Sequence, residues 1–337
     1  MKKFIAGVVI GALFTGTIAF AVSYLAEPVT FKVMVNGEEF NSNPPALVVE
    51  GRTYLPLRAI GDALGVPVEW NADLSRAEVG MSVSTHLKEQ QETVEVSTAK
   101  EFLESIKSDV TIILNNGVYN LSEVKDVDNQ FVTKSDVFDG YEYVISSVSG
   151  LKIKAADNAE VSIVVEPRYA NALSFNECNN IELNNIIAGH TIEEGYCHGG
   201  VIRLEKTMNT SIKNCKFYGC GTYGLIGANS NDICVSDTEI YECTYGALDM
   251  TECQDTEFNS CIFRNCSGFS LFNLKDCNGI RVDDSIIKDN EMETEYYSFI
   301  SGSSSDNIVF SDCIFENNKY KTFSDNENII FDKCKLD

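Results

Sequence analysis

Between about Asn171 and Asp337, hydrophobic and polar positions recur in one order, copy after copy. The stretches NTSIKNCKFYGC, NDICVSDTEIYEC, DTEFNSCIFRNC, GIRVDDSIIKDN, IVFSDCIFENN and IIFDKCKL display it most clearly. Aligned on Ile186, Cys215, Thr238, Cys261, Ser285, Cys313 and Cys334, the copies step by 29, 23, 23, 24, 28 and 21 residues. One apolar column lies three residues before each anchor, as at Leu183, Ile212, Val235 and Phe258. Another lies two residues after it, as at Ala188, Phe217, Ile240 and Phe263. A further pair precedes the anchor by thirteen and eleven residues, as in Leu173/Phe175, Ile202/Leu204 and Leu248/Met250. Alternation of this kind predicts short strands with one side turned inward. The runs are β-branched and rich in Asn and Gly, which disfavours helix. No copy can bury its apolar side alone, so copies stack, with strands pairing in parallel about 4.8 Å apart. A period in this range signals a solenoid.

The pattern N-x-I-x-x-x-x-C-x-F-x-x-C followed by Y-G resembles the right-handed parallel β-helix repeat of pectate lyases and polygalacturonases. The expected fold class is mainly β: a right-handed parallel β-helix over residues 96–337, preceded by a small α+β domain. Ser97 and Thr98 begin a short helix from Ala99 to Ile106, with Glu101 placed to complete a capping box. That helix would cover the open end of the solenoid. Residues 122–142 fit no copy and are expected as a loop packed outside.

Residues 29–81 show a different rhythm. Phe31 to Val35 is strand-like and Asn36-Gly37 is a hairpin signal. Ala46 to Val49 and Thr53 to Leu55 flank a second turn. Pro56 opens a helix whose apolar positions are Leu57, Ile60, Ala63 and Leu64, and Gly65 closes it. Val66 to Trp70 and Arg76 to Val79 follow as strands. This order, with Val35-Asn36-Gly37, Leu55-Pro56-Leu57-Arg58 and Val68-Glu69-Trp70, resembles the copper amine oxidase N-terminal-like domain of exported bacterial proteins. No copper is expected, because the unit has neither His nor Cys. Residues 82–95 are polar and are assigned to a linker.

Met1, Lys2 and Lys3 precede an uncharged run from Phe4 to Ala26, with a small-x-small site at Ala19 to Ala21. Residues 1–26 therefore predict a signal peptide or a retained membrane anchor. A secreted or surface-bound bacterial protein follows, touching the membrane only through that segment.

The formal net charge of −24 excludes nucleic acid and anionic membranes as natural partners. It also repels polyuronate unless cations bridge; calcium is the cation an acidic solenoid would hold. All 12 Cys lie between Cys178 and Cys334. They fall in stacked columns, so buried free thiols are favoured over disulfides.

The candidate partner is a polysaccharide or cell-wall glycan, bound across the strand that follows each turn. Its outward positions are Ser174, Arg203, Ile226, Asp249, Asn273 and Ser301. Just before them come His198, Tyr223, Tyr245, Phe269 and Tyr297. Tyr223, Tyr245, Phe269, Tyr297 and Asn273 are the expected carbohydrate contacts. The insertion from Gly189 to Gly200 adds His190, Glu193, Glu194 and His198. A catalytic version would use His198, Arg203, Asp249, Glu193 and Glu194 as a polysaccharide lyase or glycoside hydrolase site. The paired Asp, Gly-His-Gly and Arg-Ile-Lys motifs of polygalacturonases are missing, as is the acidic cluster of pectate lyases. Binding without cleavage is therefore the first expectation, and cleavage the alternative.

Overall fold

The computed structural model describes residues 26–35, 38–49, 51–64, 66, 68–71, 76–79, 92–191, 198–219, 222–292 and 295–336. Apart from Ala26, the expected leader or anchor lies outside them. Among the described residues no helix is long and apolar enough to cross a membrane. The chain divides into two units, residues 1–89 and 90–337.

In the first unit, Met34–Val35 pairs with Glu38–Glu39 around the predicted hairpin. Leu47–Val49 pairs with Arg52–Tyr54 on one side and Ala26–Pro28 on the other. Helix α1 spans Leu57–Leu64, and Val68–Asn71 pairs with Arg76–Val79. Gly61 is the helix's buried point: a Cβ there would lie 2.4 Å from Val68 Cγ2, so helix and strand meet only because the residue is Gly.

The second unit is a parallel β-helix with three sheets. Sheet 1 has ten strands, from Glu92–Val96 to Ile330–Asp332. Sheet 2 has eight, from Val132–Val137 to Ile300–Ser301, and sheet 3 has eight, from Gly117–Asn120 to Ile314–Glu316. One coil reads Tyr223–Ala228 in sheet 2, Asn231–Ser236 in sheet 1 and Glu239–Tyr241 in sheet 3. Inward residues stack in register, as Ile212 on Val235 on Phe258 and Phe217 on Ile240 on Phe263. These buried columns form one continuous core from Val96 to Ile329.

The anchors of the repeat do not sit within a strand. They sit at corners. At each corner one residue takes a left-handed backbone, as Asn229 (φ 50°), Asp237 (φ 49°) and Glu242 (φ 56°) do in the coil above. Asn and Asp tolerate that region better than most side chains. At several corners the next residue turns inward and bonds back to the carbonyl two residues earlier. Ser230 Oγ reaches Ala228 O at 2.9 Å and Thr238 Oγ1 reaches Ser236 O at 2.8 Å. Cys253, Cys261, Cys277 and Cys313 make the same bond with sulfur at 3.3–3.5 Å. Cys thus replaces Ser or Thr in one structural role. The described cysteines are free thiols. Burial pushes the Cys215 and Cys261 thiols up to about 11, and Cys313 up to about 12.

Two boundaries differ from expectation. Glu92–Val96 falls mostly within the assigned linker, yet it pairs in parallel with Val110–Leu114 and forms the edge of sheet 1. Val94 packs against the core and Val96 is buried, an inward alternation that the surrounding charges obscure. Residues 132–146 form an antiparallel hairpin that makes the first two strands of sheet 2, rather than a loop. Helix α2, Ala99–Glu104, caps the first coil by burying Phe102 and Leu103. Its capping box is complete: Thr98 Oγ1 accepts from Glu101 N, and Glu101 Oε2 accepts from Thr98 N. Bonds from the Ser97 and Thr98 groups hold the Glu101 carboxyl below its ordinary value.

Candidate functional site

Strands of sheet 2 alternate inward apolar residues with outward residues that are mostly polar. Register places Ser174, Arg203, Ile226, Asp249, Asn273 and Ser301 in one column, of which Ser174 is buried rather than open to a ligand. Asn273 Nδ2 donates to Asp249 Oδ1 at 2.7 Å, and Ser301 Oγ donates to Asp325 Oδ2 at 2.8 Å. Arg203 Nη2 donates to Glu205 Oε2 at 2.8 Å. Burial raises the Asp249 carboxyl above the ordinary range, against the opposing pull of the Asn273 bond and the Arg203 charge. Ile226 stands between Arg203 and Asp249 in the column, so their Cα atoms are about two strand spacings, roughly 10 Å, apart.

Beside this column runs a row of rings. Phe138 lies 5.0 Å from Tyr169, and Tyr169 stacks on His198 at 4.7 Å. His198 meets Tyr245 edge-on at 6.3 Å. Tyr245, Phe269 and Tyr297 continue at 4.5 and 4.7 Å. Phe138 is 86% exposed and Tyr297 46%, while Tyr245 and Phe269 are half-buried. Tilts of 44–54° between most neighbours keep the rings from closing into a face-to-face stack.

Tyr223 is a correction. It is buried, at 8% exposure, and is no surface contact. The amide of Tyr245 bonds to Thr222 O, and that of Phe269 bonds to Tyr245 O, so Thr222 is the equivalent of Tyr245. Tyr223 falls one residue later, in register with Gly246. Its ring sits edge-on to Tyr245, and burial, with Asp249 nearby, pushes its phenol up.

The residues proposed for catalysis are not gathered into one hydrogen-bonded set. His198 is in the ring row, Arg203 is paired with Glu205, and Asp249 with Asn273. Glu193 and Glu194 lie outside the described residues. His190 is buried at the end of Ile187–His190; its Nε2 donates to Ala170 O at 2.9 Å, while Nδ1 has no partner among the described residues. Burial lowers its pKa. Among the described residues no three of His, Cys, Asp and Glu form a metal-binding group.

Sequence reasoning missed Tyr169, Glu205 and Asp325. Tyr169 precedes His198 by the same 29 residues that separate Leu173 from Ile202, a spacing that could have found it. Glu205 is two residues from Arg203, on the same side of the strand.

Residues 144–293 and 199–337 match the family model described as right handed beta helix region. The chain belongs to the right-handed β-helix family. Within this β-helix protein, residues 34–122 match the copper amine oxidase N-terminal domain, a span that runs past the first unit into the first coil. Among solved structures, a pectate lyase from Paenibacillus sp. 0602 is similar, with TM-score 0.50 and 10% identity, covering 68% of this chain and 71% of that one. The Streptococcus pneumoniae surface protein and adhesin PfbA matches with TM-score 0.40 and 12% identity, over 72% of this chain and 77% of that one. Identity this low speaks for the fold alone. No curated protein sequence gives a significant match.

Proposed function

We propose that this β-helix protein is an exported or surface protein that binds a polysaccharide along sheet 2. The observation that carries the proposal is the row from Phe138 to Tyr297 running beside the polar column of Arg203, Asp249 and Asn273. Rings offer apolar surface to a sugar face, and the column offers donors and acceptors to its hydroxyls. His198, Tyr245, Phe269, Tyr297 and Asn273 are the contacts on this reading, with Phe138 and Tyr169 extending the row. The N-terminal charge and apolar run support export.

Cleavage is the second reading. Burial raises the Asp249 carboxyl, the direction in which a general acid is tuned. The likeness to a pectate lyase also supports a protein that acts on carbohydrate. Against hydrolysis stands the column itself. A glycosidase needs two carboxylates roughly 5–9.5 Å apart, whereas Asp249 is flanked in its column by Ile226 and Asn273.

Release of reducing ends and unsaturated products from pectic and wall glycans, with and without calcium, separates the two. Retained binding without product supports the binding function. Product that is abolished by Asp249→Asn would establish the enzyme and place its acid.

A further inference from the structure

The charges on sheet 2 bear on the kind of glycan, an inference that rests on the polysaccharide reading above. Arg203 is held by Glu205 at 2.8 Å, and Lys206 by Glu177 at 3.4 Å, so each of these cations arrives with a carboxylate. Asp249 and Asp325, by contrast, hydrogen-bond to uncharged groups: Asn273 in one case, Ser301 and the Gly302 amide in the other. Glu252 and Asp276 add negative charge at the corner that also carries Lys206, beside Lys275 on the strand, and Arg168 adjoins Tyr169 in the ring row next to Asp139. The strip beside the rings is therefore rich in acceptors and net acidic.

A chain carrying a carboxylate on every sugar would place like charge along that strip. A chain carrying hydroxyl or amino groups would instead donate to it. We propose that the row of rings takes a glycan without carboxylates, with its hydroxyl or amino hydrogens directed at Asp249 and Asp325, and discriminates against polyuronates. The acidic strip opposes the substrate that the fold likeness alone would suggest.

Titration calorimetry of the full chain tests this with short oligomers of glucose, glucosamine and galacturonate at low and high salt. The glucose and glucosamine oligomers should bind. The galacturonate oligomer should bind at least about tenfold more weakly at low salt, since like charges a few ångströms apart repel even in water. That gap should narrow as salt screens the strip. The glucosamine oligomer should weaken with salt, and the glucose oligomer should be indifferent to it. Galacturonate that binds as tightly as the others, with or without calcium, overturns the charge argument and leaves polysaccharide binding standing. Binding to none of the three overturns both.

Discussion

The ring of Tyr223 lies against the backbone of Gly246 in the next coil: a Cβ at position 246 would come within 2.8 Å of Tyr223 Cε1. The same Cβ would lie 2.0 Å from Ser270 O, and Gly246 has φ +145°. Backbone, neighbour and ring all require Gly there. Gly246→Ala should cost about 2–4 kcal/mol through strain and overpacking. Urea unfolding measures it; a loss under about 0.5 kcal/mol, the usual range for surface changes, would show that the ring does not depend on this gap.

The corners predict which cysteine changes are tolerated. Cys253 occupies a column with Ser230 and Ser305, each bonding to a carbonyl two residues back. Cys253→Ser keeps that bond and should change stability by less than about 1.5 kcal/mol. Cys253→Leu adds volume to a closed column and should cost about 1–3 kcal/mol. Denaturation of both variants checks the ordering. A thiol reagent should label exposed Cys234 well before buried Cys215, Cys261 and Cys313, whose raised pKa values keep them protonated.

Stability and binding should separate along the row of rings. Tyr245 touches His198, Tyr223 and Phe269, so Tyr245→Ala should destabilise the fold by at least about 1–2 kcal/mol, each aromatic contact adding about 0.5–1.5 kcal/mol. Phe138 is largely exposed, and Phe138→Ala should leave stability within about 0.5 kcal/mol. Its glycan affinity should nonetheless fall by about 1 kcal/mol or more. Unfolding and titration on the same two variants decide; unchanged affinity in Phe138→Ala would remove that ring from the binding row.

His190 should impose a pH dependence on stability. Its pKa is lowered by burial, so the unfolded chain takes up a proton at a pH where the folded chain does not. Stability is then complete above the unfolded value, about 6.5, and declines as pH falls from there toward the folded value. Asp249 has the opposite sign, since its folded pKa is raised: its protonation favours the fold as pH falls. His190→Gln should flatten the loss of stability just below pH ~6.5. An unchanged slope would assign that loss to other groups.

The solenoid was legible because its signal is local and repeated. Each anchor follows a residue able to take a left-handed backbone, and each inward column recurs at nearly constant spacing. Periodicity alone therefore predicted the inward positions at Ile212, Val235 and Phe258. The capping box at Thr98 and Glu101 and the helix Leu57–Leu64 were legible for the same reason, being set within a few residues.

What happens between coils was decided only by the tertiary structure. Tyr223 and Tyr245 look equivalent in sequence, but a shift of one residue at the turn buries the first and leaves the second in the row. Successive strand positions face opposite ways, so a shift that spacing can hardly detect exchanges core for surface. Arg203 and Asp249 were likewise correctly placed on one face, yet each took its own partner, Glu205 and Asn273. Pattern determines which side of a strand a residue occupies, and a partner two residues on, such as Glu205 for Arg203, lies within its reach; three-dimensional register determines which residues of the neighbouring coils, more than twenty residues away, it can touch, as Asn273 does Asp249.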